Sequence, residues 1–182
     1  MDIAFSDRDN TVYIEPIYEY SNFSEFVQGN LPIIISIPHG GHLFPDDIPD
    51  RKQSFPSVVK SNDINTQEIG RQLFDLIAKA FKGRKPYMVI NHLGRSKLDV
   101  NRTLKEGAEG ISGSSISSDT QTAWNDYHNF MCNAVKEIEE SFGRGLLIDI
   151  HGKKSFLINH LVGCQITKFL FIYRACSSRK LY

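Results

Sequence analysis

Two histidines stand three residues apart in "PHGGH", His39 and His42, and a third, His151, closes "LLIDIHG" 112 residues after the first. His39 directly follows the apolar run "LPIIISIP" and His151 directly follows "LLIDI", so both occupy the exit of an expected buried strand. Neutral imidazole is a good ligand for zinc, and a catalytic zinc takes three protein ligands while keeping one position open. The third ligand is expected to be Asp63, in "SNDIN", or alternatively His42. A carboxylate would complete two histidines and one acid, a set that acidifies water and keeps the ion electrophilic, and Asp63 is therefore preferred. Each has a plainer reading: Asp63 as a helix N-cap, His42 as a solvated turn residue. Gly40 and Gly41 are expected to give the backbone room beside the ion or a ligand. His92, His128 and His160 have no such pairing and are read as structural.

A second block, "LGRSKLDVNR", complements the first. Arg102 can grip a carboxylate with two parallel hydrogen bonds that lysine could not reproduce, and Asn101 beside it offers an amide. Asp99 can hold an arginine in place. The plainer reading is a surface charge cluster.

These residues need rigid supports, and the pattern supplies them. "LPIIISIP" (31–38) is a continuous run with four β-branched isoleucines, as a central strand covered on both faces requires. A helix is expected over about 63–82, with Ile69, Leu73, Leu76, Ile77 and Ala80 inward, then a strand in "KPYMVINHL". A second helix should be capped by Ser118 or Asp119 and stop at Gly143, and "GLLIDIHG" gives the third strand. The glycines and serines of 107–118 suggest a surface loop able to cover a site. Alternating strands and helices imply an α/β fold whose ligands bind beyond the strands' carboxyl ends.

The 182 residues suit one well-buried domain, and 21 basic against 21 acidic residues leave no electrostatic footprint for nucleic acid or an anionic membrane. Three cysteines without CxxC spacing indicate neither a disulfide framework nor a cysteine zinc site. The acidic N-terminus lacks the features of a signal peptide, and the apolar segment 156–173 is broken by polar residues. A cytoplasmic setting without membrane contact is expected. Residues 153–182 differ from the rest, with six Lys/Arg and no acid.

PHGG, the acid before a helix, RSKLDVNR and LLIDIHG occur in an order and at spacings that resemble the N-formylglutamate amidohydrolase family. The resemblance covers roughly residues 10 to 152. It implies a three-layer α/β fold like that of the zinc carboxypeptidases, with a mainly parallel or mixed sheet flanked by helices, here in part. It also implies one zinc ion held by His39, His151 and Asp63, with Arg95, Asp99, Asn101 and Arg102 toward a small carboxylate-bearing substrate. The expected activity is hydrolysis of the C–N bond of a small N-acyl amino acid such as N-formylglutamate. Members of that family continue past the DIHG strand and draw their general base from the later region. Residues 153–182 are therefore expected to be an atypical basic, apolar tail appended to a truncated 1–152 domain, not continuing the sheet and supplying no base. Two alternatives follow: a metal-binding form without catalysis, and an interaction module acting through the tail.

Overall fold

The computed structural model describes residues 17–18, 23–51, 58–108, 116–152 and 164–172, the first and last of these as backbone only. The strands are β1 (Ile17–Tyr18), β2 (Ser24–Val27), β3 (Ile33–Ile37), β4 (Tyr87–Asn91), β5 (Gly145–Gly152) and β6 (Cys164–Ile172). Between them lie the helices α1 (Thr66–Ala80), α2 (Leu104–Gly107) and α3 (Ser118–Phe142). One six-stranded sheet runs β1-β2-β4-β3-β5-β6. The central strand β3 pairs parallel with both β4 and β5, whereas the β1–β2, β2–β4 and β5–β6 pairings are antiparallel. The fold is α/β with a mixed sheet.

Why the helices take opposite faces follows from strand order. The chain leaves β3 through α1 to reach β4 on one side, then returns through α3 past β3 to β5 on the other. Right-handed crossovers in opposite directions put the two helices on opposite faces of the sheet. Side chains alternate accordingly. Ile34, Tyr87, Val89 and Leu147 pack with Tyr127, Phe130, Met131 and Ile138 of α3, while Ile35, Ile37, Met88, Ile90, Ile148 and Ile150 pack with Phe74 of α1.

Both helix ends reward inspection. The Ser117 side chain, and not Ser118 or Asp119, caps α3 by accepting from the Thr120 amide, and Gly143 stops it in the left-handed region at φ 73°. Helix α1 starts at Thr66, later than expected, behind Asn65 at φ 61° with no side-chain cap. Its inward stripe is Thr66, Gly70 and Phe74, with Leu73 and Ile77 at the margin. Leu76, expected inward, is 64% exposed. The stripe turned because Gly70 lets the helix lie against β3, where a Cβ would come within 2.2 Å of Ile37 Cδ1.

Two expectations from composition need correcting. Backbone pairing of Cys164–Ile172 with β5 continues the sheet within the segment expected to contribute no strand; 153–163 and 173–182 lie outside the described residues. Cys132 is disulfide-bonded, although the cysteine spacing indicated no disulfide framework. Most of the 107–118 loop and His160 also fall outside the description. No helix among the described residues is long and apolar enough to cross a membrane.

Candidate metal centre

His39 follows β3 and His151 lies near the end of β5, so two adjacent parallel strands deliver the imidazoles to one crevice. Asp63 comes from the turn before α1, where its amide donates to the His39 carbonyl at 3.0 Å. Its Oδ2 accepts from the Gly152 amide at 3.0 Å, which aims the carboxylate at the crevice and away from the helix amides. The N-cap reading of Asp63 is therefore set aside, since Asn65 holds that position.

His39 Nδ1, His151 Nδ1 and Asp63 Oδ2 converge, with the two nitrogens 3.1 Å apart and the oxygen 3.5 Å from each. Ligands about 2.0–2.2 Å from a tetrahedral ion stand roughly 3.3–3.6 Å from one another. The two nitrogen–oxygen edges fall in that range, and the nitrogen–nitrogen edge is slightly shorter. These three residues could hold a metal ion. His42 is exposed and lies outside the group.

Hydrogen bonding behind the ligands explains why the nitrogens face inward as acceptors. His39 Nε2 lies 2.7 Å from Asp99 Oδ1, and His151 Nε2 lies 2.8 Å from Asp149 Oδ2. A carboxylate only accepts, so each Nε2 carries the proton and each Nδ1 presents a lone pair. Asn101 Nδ2 stands 3.3 Å from the same His151 Nε2, but the closer carboxylate decides the tautomer. Two lone pairs 3.1 Å apart repel unless a cation lies between them.

The electrostatics agree. Burial pushes the His151 imidazole down, but Asp149 and Asp63 outweigh it and raise the group to about 9. Burial also pushes Asp63 up, yet the adjacent His151 and His39 and the hydrogen bond from the Gly152 amide hold it well below the usual carboxylate range.

The block after β4 builds the surroundings. Asp99, 2% exposed, sits beneath His39, and its other oxygen accepts from Arg95 Nε at 3.0 Å. Burial raises its carboxyl, but His39, Arg95 and Arg51 together hold it well below the usual range. Asp99 thus holds an arginine, Arg95, as its type allowed, and also orients His39, a part the sequence reading did not assign. Arg95, mostly buried, also reaches Asp63 Oδ1 at 3.5 Å. Asn101 borders His151. Arg102 is exposed, and its guanidinium makes no hydrogen bond or ion pair among the described residues.

Gly40 and Gly41 play a different part from the one expected. A Cβ on Gly40 would meet Thr66 Oγ1 at 2.3 Å, and one on Gly41 would meet the His92 carbonyl carbon at 2.3 Å. The glycines bring the His39 loop against α1 and the end of β4. Asn62 ties these parts together, donating to the Gly41 carbonyl at 2.6 Å and accepting from the Arg95 amide at 2.7 Å.

Sequence reasoning missed four contributors. Asp149 lies two residues before His151, on the same face of β5, and that period-two spacing was a usable signal. Ser36, Tyr127 and Arg51 gave none, since their partners are remote in sequence. Arg51, buried, donates to the carbonyls of Val59, Arg95 and Glu106 and lies 3.6 Å from Asp99. Of the other histidines read as structural, His92 bonds Glu25 at 3.0 Å, and His128 donates to the Val100 carbonyl and is held by burial at about 4. Compared with known proteins, the chain matches no family model, no curated protein and no solved structure.

Proposed function

We propose that this protein binds one zinc ion through His39, Asp63 and His151 and hydrolyses the C–N bond of a small N-acyl amino acid, such as an N-formyl amino acid. The observation that carries the reading is the triangle of Nδ1, Nδ1 and Oδ2, with edges of 3.1, 3.5 and 3.5 Å. The donor set of two neutral imidazoles and one carboxylate suits zinc and leaves room for a water or substrate oxygen. A divalent ion held there supplies Lewis acidity toward an amide carbonyl and acidifies water.

The chain's own groups support this chemistry in distinct ways. Asp99 and Asp149 hold the Nε2 protons, so that Nδ1 of each histidine is the atom left for a metal ion. Arg95, fixed between Asp99 and Asp63, places positive charge beside the ligands, where negative charge would develop on a carbonyl oxygen. Arg102 supplies an exposed guanidinium next to Asn101, suited to bidentate capture of a substrate carboxylate.

A second reading, metal binding with little turnover, is favoured by one observation. Asp63, Asp99 and Asp149 are each committed to histidines, so among the described residues around the ligands no carboxylate is left to move protons. Absence of a positioned acid–base group costs about 10²–10⁴-fold in rate. The experiment is one preparation with two measurements: zinc per chain, and release of amino acid from N-formyl and N-acetyl substrates. Stoichiometric zinc with turnover supports the hydrolase. Zinc with turnover raised only by an added small-molecule base supports the second reading, and a protein that takes up no zinc removes both.

A further inference from the structure

The two candidate ligands are backed differently. His39 leans on Asp99, whose charge is shared by Arg95 and Arg51. His151 leans on Asp149, whose other oxygen is met, among the described residues, by a hydroxyl, Ser36 Oγ at 2.7 Å. Ser36 Oγ in turn lies 2.7 Å from Tyr127 Oη, which reaches across from α3.

The direction of this chain is forced. Asp149 can only accept, so the one hydroxyl proton of Ser36 goes to it. Ser36 then has only lone pairs to offer Tyr127, and the phenol must donate. With Oδ1 occupied, Asp149 presents Oδ2 to His151, which gives it the Nε2 proton. We infer that Tyr127 and Ser36 are positioning residues that hold Asp149 in place and thereby fix His151 as the tautomer offering Nδ1 to a metal ion. Neither touches the ion or its ligands directly. The inference deepens the metal-site reading and rests on it.

Burial makes the chain consequential. Ser36, Tyr127 and Asp149 are all buried, and removing one donor leaves an acceptor short of a partner in a poorly solvated place. The three border a cavity of about 40 Å³, shared with Asn101 and His128. That is room enough for water. Water could replace a lost Ser36 hydroxyl in Ser36→Ala, whereas Ser36→Val fills the space with carbon and keeps a residue suited to a strand.

The test measures zinc affinity of the full chain by competition with a chelator, together with hydrogen exchange of each histidine Nε2–H in metal-free protein. Ser36→Val is expected to weaken zinc by roughly 10–100-fold, the range for lost outer-shell partners. Ser36→Ala should lose less, and Tyr127→Phe, one step further removed, roughly tenfold or less. Exchange of the His151 Nε2–H should quicken in all three while that of His39 stays as in wild type. A folded Ser36→Val with wild-type zinc affinity and unchanged His151 exchange overturns the inference. Equal quickening at His39 and His151 overturns it too, since that marks general loosening. If Ser36→Val does not fold, Tyr127→Phe decides by the same two readouts. Should wild type bind no zinc, the metal-site reading fails on its own. Exchange at His151 then still tests the chain: slow in wild type and fast in the variants upholds it, equal rates sink it.

Discussion

Asp63→Asn separates the ligand set from its competitors most sharply. The amide is nearly isosteric, and its oxygen can still accept from the Gly152 amide, now 3.0 Å away. Only the charge at the third corner is lost. The groups around the crevice are three carboxylates (Asp63, Asp99, Asp149) and two guanidiniums (Arg51, Arg95), so with neutral histidines the local charge rises from −1 to 0. Losing an outer-shell partner costs about 10–100-fold in metal affinity, and a direct ligand should cost at least the upper figure, about 2.7 kcal/mol.

Heat denaturation reads this directly. Zinc at about 100 times its dissociation constant stabilises wild type by about 2.7 kcal/mol. For a chain of this size that corresponds to roughly a 5–11 °C rise in Tm. With affinity about 100-fold weaker, the same zinc gives Asp63→Asn only about 0.4 kcal/mol, or roughly 1 °C. Each protein is compared with its own metal-free form, so any intrinsic loss from the substitution cancels. His39→Ala and His151→Ala should likewise lose the zinc-induced shift, and the exposed His42→Ala should keep it. A full shift in Asp63→Asn together with its loss in His42→Ala would show that His42 is the third ligand. An equal shift in all four variants would mean that the zinc binds elsewhere.

Arg102→Lys should weaken binding of N-acyl amino acids while zinc content stays constant, because the charge remains but the fork goes; titration with unchanged affinity would move the anchor to another residue. Gly41→Ala should destabilise the fold by on the order of 1–3 kcal/mol in urea denaturation, since its Cβ would press on the His92 backbone at 2.3 Å. Glu25, fully buried on β2, is pushed up by burial but drawn from 4.5 down to about 2 by His92 and Arg71. A depressed carboxyl adds stability above its unfolded pKa that is lost as pH falls through the folded one, here between about pH 4.5 and 2. Glu25→Gln should therefore cost on the order of 3 kcal/mol at pH 7 and converge with wild type near pH 2. Parallel stability curves across that range would refute the assignment.

The three central strands β3, β4 and β5 and the two long helices were legible because their signals are local, whereas β1 and β2 were not read. A run such as "IIISI" has no helical face to hide, and "SDTQTAWNDYHNF" closing at Gly143 carries its own start and stop. What failed were places where tertiary contact overrode local pattern. Leu76 satisfies helical periodicity but faces solvent, because Gly70 sets how α1 lies on β3. Residues 164–172 have no acids and an irregular apolar pattern, yet their backbone completes the edge beside β5. An edge strand is recruited by unpaired amides and carbonyls, which every sequence has, and not by side-chain period.

The site divides along the same line. His39, Asp63 and His151 could be chosen from sequence because ligands must be of few types and strand ends are predictable places. Their orientation could not, since it is decided by Asp99, Asp149, Ser36 and Tyr127, whose roles exist only once β3, β4, β5 and α3 are assembled. Asp99 shows the difference most clearly. Its position in RSKLDVNR suggested a surface partner for an arginine, and it does hold one, Arg95. The other half of its role, fixing the His39 tautomer from beneath, depends on a 2.7 Å contact across 60 residues of chain. Ligand identity is a matter of chemistry that one residue carries alone, whereas ligand tautomer is a property of the hydrogen-bonded pair, and a sequence names the members without saying which are paired.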